Sequence, residues 1–599
     1  MCGILGFASH QLIQQRNELT RGISSLNHRG PDDAGEWWSE DGRIGFAHKR
    51  LSIIDLSSNG HQPMTDTNGQ YVIVFNGEIY NYKKLYIKLL SKGHKFKSKT
   101  DTEVILAAYS EWGVECVSKL NGMFAFAIYD SLKKILFIAR DRAGEKPLFY
   151  HYKDGFFRFS SELKGLLYDD SLPRKIDTES LDCYLAMGFV PGERCILKDF
   201  SKLPAAHSLL FDLKSKKIKI WKYWELPNMN FNSSDGYLKE LNLVDELENL
   251  LEDAVNRQMV ADVPVGILLS GGIDSSLITA MAARNRDRIT TFTVRFPDNV
   301  KYDETAHARL ISQHFNTKHI ELEALPTNID LFTRLACQFD EPIVDSSMLP
   351  TFLVSQLVQK HCKVVLGGDG GDELFAGYDH YSRLLWIQKY LGLIPKPIRL
   401  GISYMSQKII PEGVRGKNWL QGLGADFNSE VPLIANYFDS IKRQQLMSKY
   451  SRDWSTTAED VLRSGTLWHQ DFLQSATRMD FSHYLTEDIL VKVDRASMLN
   501  SLEVRAPFLD KHLIEFAFGK VPSRLKATRN DKKILLKKLT DRVLPPGFDK
   551  QRKQGFSIPI NDWLKKGKFR DFFYDVLLDT QTIFDQRMVN SLLKGQDRG

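Results

Sequence analysis

The chain has 599 residues, of which 43% are hydrophobic and 26% are charged, a balance typical of globular proteins rather than disordered or fibrous ones. The 80 basic and 74 acidic side chains leave a net charge of only +6, which does not indicate a nucleic-acid or membrane-surface protein. A single hydrophobic core rarely grows beyond about 300 residues, so the length predicts at least two domains.

Hydropathy and cysteine usage predict a cytosolic protein. No apolar stretch approaches the ~18 residues that a membrane span needs. The first residues lack the basic region, apolar run and cleavage site of a signal peptide. The 6 cysteines lie far apart without a C-x-x-C pair, so neither a zinc site nor a disulfide framework is expected. We therefore expect neither a membrane nor a nucleic acid as partner.

The N-terminal third contains short apolar runs broken by Gly, Asn and Asp, a pattern typical of layered β structure. Runs of this kind lie at 71–75, 123–129 and 135–139. A helical pattern extends from 101 to 112, where Thr100 or Asp101 is placed to cap the helix.

A polar, turn-rich stretch at 227–240 is the predicted domain boundary. Beyond it, strands alternate with helices, which predicts a doubly wound parallel sheet. The predicted strands are 263–269, 290–294 and 363–366, with helices at 243–260, from Ser275, and at 348–361. From about residue 375 onward, apolar residues recur at helical spacing and predict a mostly helical part.

Cys2 is the first candidate for chemistry, because it directly follows the initiator methionine. Its small side chain favours removal of Met1, which leaves a cysteine with a free α-amine. Such an amine has a pKa of about 7.7–8.0 and is able to serve as general base for the thiol beside it. The alternative is a small buried hydrophobic residue, the commoner role of an isolated cysteine.

Several other polar residues of the N-terminal third fit a reaction at Cys2. Arg50, Asn76 and Asp101, taken singly, are also explained as a surface charge, a turn residue and a helix cap. Together with the charged run at 28–33 and the Asn-Gly-Glu-Ile-Tyr-Asn run at 76–81, they supply a nucleophile, a carboxylate clamp, oxyanion donors and two acids. That set suits a free α-amino acid with a side-chain amide.

Two Gly-rich turns follow predicted parallel strands. The first, Ser-Gly-Gly-Ile-Asp-Ser-Ser at 270–276, opens a helix and is able to wrap an anionic phosphate, although it lacks the Gly-Lys-Ser/Thr ending of a Walker A loop. The second, at 367–373, brings Asp369 and Asp372 towards Asp274. Three converging carboxylates would need a divalent cation. A plain loop remains the alternative for the second turn.

The Cys-Gly-Ile start and the runs at 28–33 and 76–81 closely resemble the class II glutamine amidotransferase domain, over Cys2 to about residue 205. The resemblance implies an αββα N-terminal-nucleophile hydrolase fold. It also implies that Cys2 forms a thioester with glutamine. The implied partners are Arg50 for the glutamine carboxylate, Asn76 and Gly77 for the oxyanion, and Glu78 and Asp101 for the α-ammonium.

The 270–276 turn resembles the pyrophosphate loop of ATP pyrophosphatases. With the segments at 493–498, 501–510 and 532–535, nearly the whole chain resembles the glutamine-hydrolysing asparagine synthetases. The implied ATP-binding residues are Leu269, Ser270, Gly271, Gly272, Asp274, Ser275, Ser276, Val294 and Gly368. Mg²⁺ would be held by Asp274 and Asp372, Asp369 would act as base towards ammonia, and Lys532 would offset developing charge, with the adjacent Lys533 as its competitor.

The resemblance implies a glutaminase domain at 2–210, connecting strands and a linker at 211–240, and a synthetase domain at 241–599. Glutamine-derived NH₃ would cross between them through an apolar passage, because burial of an unpaired NH₄⁺ is costly. ATP would adenylate an acceptor carboxylate with loss of pyrophosphate, and ammonia would displace AMP. The implied partners are glutamine, ATP and aspartate, with a homodimer as the assembly.

The acceptor stays open between aspartate and another carboxylate, such as a sugar uronate or a cell-wall precursor. The segment 341–347 does not match the Thr-Thr-x-Arg pattern of some aspartate-binding members. We expect its loop 345–347 to set acceptor choice. A tRNA-modifying pyrophosphatase should carry a basic domain or a C-x-x-C pair, and an inactive scaffold should lack Cys2 or Asp274. Whether the end at 596–599 is natural or trimmed also stays open.

Overall fold

The computed structural model describes the chain except for residues 229–236, 296–302, 325–328, 392, 411–415, 418–419, 421–422, 425–436, 451–456, 465–470, 553–559 and 598–599. Most of the predicted boundary at 227–240 and the last two residues therefore lie outside the described part. Among the described helices, none is long and apolar enough to cross a bilayer.

The N-terminal part contains twelve described strands in two antiparallel sheets. The strands are β1 Gly3–Ser9, β2 Asp33–Trp38, β3 Ile44–Arg50, β4 Met64–Thr65, β5 Tyr71–Ile79, β6 Gly122–Asp130, β7 Ile135–Arg140, β8 Phe149–Lys153, β9 Phe156–Ser160, β10 Phe200–Lys202, β11 His207–Asp212 and β12 Lys217–Lys222. The strand orders are β10-β8-β9-β1-β3-β2 and β12-β11-β7-β6-β5-β4. The helices are Arg16–Ser24, Tyr82–Leu90, Asp101–Trp112, Leu163–Leu166 and Thr178–Met187.

These elements form the predicted αββα layers. Ile4 and Phe46 of one sheet pack against Val74 and Ile138 of the other, so the two sheets bury a shared core. On the outer faces, the helices Tyr82–Leu90 and Asp101–Trp112 cover one sheet, and the helices Arg16–Ser24 and Leu163–Leu166 cover the other. Alternating apolar side chains explain why each sheet is buried on both faces.

The second part contains a five-stranded parallel sheet. Its strands are β13 Val265–Leu268, β14 Thr290–Arg295, β15 Lys318–Glu323, β16 Val364–Leu366 and β17 Glu503–Arg505, in the order β15-β14-β13-β16-β17. The order reverses between β13 and β16, which confirms the doubly wound prediction and places a ligand crevice beyond their carboxyl ends. Ile267 packs with helices on one face of the sheet, and Val365 packs with helices on the other.

Helices make up most of the remaining chain, as the spacing predicted. They are Tyr237–Gln258, Ile273–Arg284, Thr305–His314, Ile329–Phe339, Met348–Val358, Gly371–Phe375, Asp379–Leu391, Lys396–Ile409, Ser440–Leu446, Ala458–Ser464, Phe472–Asp480, Leu490–Met498, Lys511–Gly519, Ser523–Lys526, Ile534–Val543, Ile560–Lys565, Lys568–Leu577 and Gln586–Asp597. A π-helical segment, Phe481–Ile489, joins two of them.

The ends of one helix and two strands of the N-terminal part can be compared with the sequence predictions. Thr100 caps the helix Asp101–Trp112 as predicted, since its side chain accepts the N–H of Glu103 at 3.2 Å. The strand predicted at 71–75 is longer and continues to Ile79, because its pairing with β6 extends through Asn76 and beyond. Arg50 is the last residue of β3, so its side chain is placed by the sheet.

Candidate active sites

Cys2 lies directly before β1 and is buried. Its backbone N–H donates a hydrogen bond of 2.9 Å to Oδ1 of Asn76 on β5. Nδ2 of Asn76 is buried and has no acceptor among the described residues. Burial raises the pKa of the Cys2 thiol, while the Met1 ammonium and the Arg50 guanidinium act in the opposite direction. Asn76 therefore offers an N–H donor close to the nucleophile, as an oxyanion hole requires.

Gly77 follows Asn76 within the same strand, with a φ of +153°. A Cβ atom at Gly77 would lie 2.1 Å from the carbonyl oxygen of Met123 on the neighbouring strand. No larger residue fits there without moving the sheet. Because side chains alternate along a strand, Asn76 and Glu78 lie on the same face of β5.

Glu78 and Asp101 form a buried acidic pair near the nucleophile. Oδ2 of Asp101 accepts the N–H of Ile79 at 2.9 Å. Burial, followed by the charge of Asp101, raises the pKa of Glu78 well above its usual range. Burial also raises the pKa of Asp101 to about 6. A substrate ammonium between these carboxyl groups would relieve their mutual repulsion.

Arg50 is buried and faces the loop that follows it. Its guanidinium donates to the carbonyl oxygens of Ile54 at 3.3 Å, Asp55 at 2.5 Å and Ser57 at 3.1 Å. A guanidinium has five N–H donors, so these three contacts leave donors for a substrate carboxylate.

Two residues of β17 in the parallel sheet contact Met1 and Glu78 beside the nucleophile, and the sequence did not assign either a role. Oε2 of Glu503 lies 2.9 Å from the Met1 ammonium, and its Oε1 lies 2.7 Å from Nε of Arg505. Nη2 of Arg505 lies 3.4 Å from Glu78. Burial alone would raise the pKa of Glu503, but the Met1 ammonium and Arg505 outweigh it and lower that pKa to about 2.

Arg29 makes a second buried connection between the two parts. Its Nε donates to the carbonyl oxygen of Cys2 at 3.0 Å. Its terminal nitrogens bind Asp494 at 2.8 and 2.9 Å, and one of them binds Glu162 at 2.6 Å. Arg29 therefore ties the nucleophile to the helix Leu490–Met498 of the second part.

A cavity of about 340 Å³ opens at the carboxyl ends of β13 and β16. It gathers most of the predicted nucleotide residues: Leu269, Ser270, Gly272, Asp274, Ser275, Val294, Gly368, Asp369 and Asp372. The helix Ile273–Arg284 begins there without a side-chain cap, so backbone N–H groups face the cavity. Gly271 and Ser276 are not among its lining residues; a Cβ at Gly271 would lie 2.6 Å from His307, and Ser276 is fully buried.

Asp274 and Asp372 are joined by Lys533 rather than by a third carboxylate. Nζ of Lys533 is bonded to Asp274 and lies 2.9 Å from Asp372. Among the described residues no group of three acidic, His or Cys side chains is arranged to hold a metal ion, so the expected three-carboxylate convergence does not form. The oxygen donors of the two aspartates still fit Mg²⁺, provided that Lys533 moves or a nucleotide supplies further oxygens.

The two adjacent lysines are separated by their backbone. Lys533 has a left-handed φ of +51° directly before the helix Ile534–Val543, and its side chain turns into the site. Lys532 instead binds Asp379, outside the cavity. The geometry therefore does not support the predicted role of Lys532 and favours Lys533.

Lys492 is a lining residue that sequence reasoning missed. Its Nζ lies 2.8 Å from Oγ of Ser347 and 2.9 Å from Oδ2 of Asp345. Burial would lower the pKa of Lys492, but Asp345 and Asp369 outweigh it and raise it. The loop 345–347 thus contacts the nucleotide cavity through Ser347, whereas Ser346 lines a separate apolar cavity.

A cavity of about 10 Å³ touches both centres, since Met1 and Asp369 each form part of its wall. The expected apolar passage is not what the structure shows here. Glu145, Lys146 and Asp494 line this cavity beside Leu490, Val493, Val504 and Ala506. Polar groups enter because the turn between β7 and β8 lies against the helix Leu490–Met498.

Comparison with known proteins gives one family match for each of the two parts of the chain. Residues 1–224 match the family model of the glutamine amidotransferase domain, and residues 246–599 match that of asparagine synthase. Glutamine-hydrolyzing asparagine synthetase 1 of Bacillus subtilis strain 168 is 33% identical over 589 residues, covering 97% of this chain and 90% of that protein. Asparagine synthetase 3 of the same strain is 30% identical, covering 99% and 93%.

A more distant relative, the amidase chry2 of Gibberella zeae, is 28% identical over 606 residues, covering 89% of this chain and 84% of that protein. The asparagine synthase model alone spans more than half of the chain, and the Bacillus relatives align over nearly all of it. The chain therefore belongs to the family of glutamine-hydrolysing asparagine synthetases.

Proposed function

We propose that the chain hydrolyses glutamine at Cys2 and uses the ammonia to amidate a carboxylate that ATP has activated in the second cavity. The observation that carries this proposal is that one small cavity is lined both by the residue before the nucleophile and by Asp369 of the nucleotide site. The domain limits 2–210 and 241–599 and the cytosolic location are part of the same proposal.

At the first centre, the Cys2 sulfur attacks the glutamine amide carbon, and its proton passes to the α-amine that removal of Met1 exposes. Nδ2 of Asn76 stabilises the tetrahedral oxyanion. Glu78 and Asp101 hold the substrate ammonium, and Arg50 holds its carboxylate. As the intermediate collapses, the α-ammonium returns its proton to the leaving nitrogen, which departs as ammonia and leaves a thioester. Water then hydrolyses the thioester to glutamate and regenerates the thiol.

At the second centre, an oxygen of the acceptor carboxylate attacks the α-phosphorus of ATP, and pyrophosphate leaves. Mg²⁺ bound by Asp274 and Asp372 would supply charge neutralisation for the phosphates. Lys533 offsets charge that develops on the α-phosphate, and backbone N–H groups at the helix start orient the phosphates. Ammonia then attacks the acyl carbon, Asp369 accepts a proton, and AMP leaves as the amide forms.

The acceptor enters beside Lys492 and Ser347 in this proposal. A buried ammonium next to a hydroxyl is suited to a carboxylate, and Asp345 orients both groups from behind. Aspartate is the first acceptor to test, with a sugar uronate as the alternative. The test is a screen of acceptor acids that follows AMP and pyrophosphate. Release of AMP with a uronate but not with aspartate would be consistent with the amidotransferase reaction and would overturn the assignment of aspartate as the acceptor.

Ser346 and Ser347 provide a matched pair for the acceptor loop. Ser347→Ala removes the hydroxyl that contacts Lys492 and should raise the acceptor KM about tenfold, since a hydrogen bond to a charged group contributes about 1.5–3 kcal/mol. Ser346→Ala changes a residue of the other cavity and should leave that KM near the wild-type value. Equal effects of the two substitutions would remove Ser347 from acceptor binding.

A further inference from the structure

Glu145 stands out among the groups that line the cavity between the two centres. It lies in the turn that joins β7 and β8, far along the chain from both predicted sites. With Met1 in place the cavity measures about 10 Å³, near the size of one water or ammonia molecule, and removal of Met1 would open it towards Cys2. A carboxyl group on such a wall would therefore meet each ammonia molecule that passes.

The backbone around Glu145 is held rigidly. The Asp141 carboxylate accepts the N–H groups of Ala143 at 3.1 Å, Glu145 at 2.9 Å and Lys146 at 2.9 Å. The Arg140 guanidinium donates to the carbonyl oxygens of Lys146 at 2.8 Å and of Gly144 at 2.9 Å. These bonds fix the backbone of Glu145 and therefore the position of its Cβ atom, as a positioning role requires.

The Glu145 carboxyl is buried, and no side chain or backbone group among the described residues donates a hydrogen bond to it. Of the other polar groups of the cavity wall, Asp369 already belongs to the nucleotide site, and the remaining two are committed or of the wrong kind. Asp494 is bound at both oxygens by Arg29. Lys146 is a cation without acceptor capacity. A buried carboxyl with unfilled hydrogen-bonding capacity is unfavourable unless a small polar molecule uses it.

We propose that the Glu145 carboxyl is a positioning residue that binds ammonia in transit from Cys2 to the acyl adenylate. This inference rests on the two-centre function proposed above. In its neutral form the carboxyl donates its O–H to the nitrogen lone pair, and its carbonyl oxygen accepts an N–H. No covalent bond forms or breaks, and the ammonia leaves towards Asp369 unchanged.

The protonation state of Glu145 favours passage of ammonia through the cavity over its retention as NH₄⁺. Burial, followed by the charge of Asp141, raises the pKa of Glu145 well above its usual range. The charges of Asp369 and Glu503 raise this pKa further, and the charge of Lys146 lowers it. A neutral carboxyl holds NH₃ by ordinary hydrogen bonds. A carboxylate would stabilise NH₄⁺, which is not a nucleophile, and would retain it.

Glu145→Leu and Glu145→Gln separate this role from a structural one. A leucine side chain is similar in size but offers no hydrogen bond, whereas a glutamine side chain keeps both a donor group and an acceptor. The readouts are amide formed per glutamine hydrolysed, the glutaminase rate, and amide synthesis from added ammonium. We expect E145L to lower the amide-to-glutamate ratio about tenfold, as for loss of one hydrogen bond, with both half-reactions near wild type. E145Q should restore the ratio.

A wild-type ratio in E145L would overturn the proposal, as would equal uncoupling in E145Q. Loss of ammonium-driven synthesis in E145L would also overturn it, since the residue would then act in the synthetase site. If E145L does not fold by circular dichroism, E145A is measured in the same way and judged by the same outcomes. Failure of the proposed function itself is distinguishable, because the wild-type chain would then form no amide from either nitrogen source.

Discussion

The two centres are built in opposite ways. The nucleotide cavity is formed by two Gly-rich turns, each one short continuous segment, at the ends of the neighbouring parallel strands β13 and β16. Its polar groups face an open space. The glutaminase centre is assembled inside sheets, and a buried charge network from β17 and from Arg29 closes it. The nucleotide cavity is therefore readable as a motif, whereas the glutaminase centre depends on how the two parts of the chain dock.

The largest expected effect tests whether the two centres are chemically independent. Cys2→Ala removes the nucleophile, so glutamine hydrolysis and glutamine-driven amidation should fall by ~10⁴-fold or more. Amide synthesis from ammonium at high pH, where NH₃ is plentiful, should persist. Cys337→Ala, at an exposed cysteine, is the control and should leave both activities intact. If Cys2→Ala also loses the ammonium-driven reaction, the two-centre account fails.

The next effect concerns the adjacent lysines of the nucleotide cavity. Lys533→Met should lower kcat for pyrophosphate release by about 10²–10³-fold, because a buried cation beside the transferred phosphate is lost. Lys532→Met removes a contact with Asp379 outside the cavity and should change kcat little. Steady-state release of pyrophosphate measures both. The reverse order of effects would restore the role predicted for Lys532 from sequence.

The docking network predicts a loss of stability rather than of chemistry. Arg29→Met removes one of the two arginines that Glu162 and Asp494 share and leaves Arg495 at 3.1 and 3.5 Å from them. Breaking a buried ion pair costs about 3–5 kcal/mol. The thermal unfolding midpoint should fall, and amide formed per glutamine should fall with it. Arg174→Met, which removes an exposed pair with Asp170, should leave the midpoint nearly unchanged. An unchanged midpoint for Arg29→Met would mean that Arg29 does not hold the two parts together.

A smaller effect separates the centres by pH. The pKa of Asp101 is raised to about 6 by burial, so acidification through that value protonates it and removes a charge that holds the glutamine ammonium. We expect kcat/KM for glutamine to decrease as the pH is lowered through about 6. In Asp101→Asn, kcat/KM for glutamine should be low at all pH values and should show no inflection near pH 6. Ammonium-driven synthesis in the same variant should follow the wild-type profile. An unchanged inflection in Asp101→Asn would assign it to another group.

The sequence predicted what local patterns encode. Thr100 as a cap and the Gly-rich turns at 270–276 and 367–373 follow from neighbouring residues, and the structure places them as expected. Glu503 lies 502 residues along the chain from Met1, and Arg505 lies more than 400 residues from Glu78, so nothing in their own segment indicates these contacts.

Sequence reasoning missed Lys492 and left the choice between Lys532 and Lys533 open, for two different reasons. Lys492 lies in the helix Leu490–Met498, and its partners Asp345 and Ser347 belong to a loop about 145 residues earlier in the chain, so its own segment does not indicate the contact. Lys533 differs from Lys532 by one residue, and only the left-handed backbone at Lys533 decides which side chain enters the site. A sequence pattern does not fix such a turn when neither residue is Gly or Asn.

Internal transfer of nitrogen is the central claim, and isotope competition tests it most directly. The wild-type enzyme is given amide-¹⁵N glutamine, ATP, Mg²⁺, its acceptor and an excess of unlabelled ammonium, and the product amide is analysed by mass spectrometry. The account predicts that most product carries ¹⁵N despite the excess of unlabelled ammonium, because ammonia passes between the centres without mixing with solvent. A product whose ¹⁵N content equals that of the bulk ammonium would contradict it.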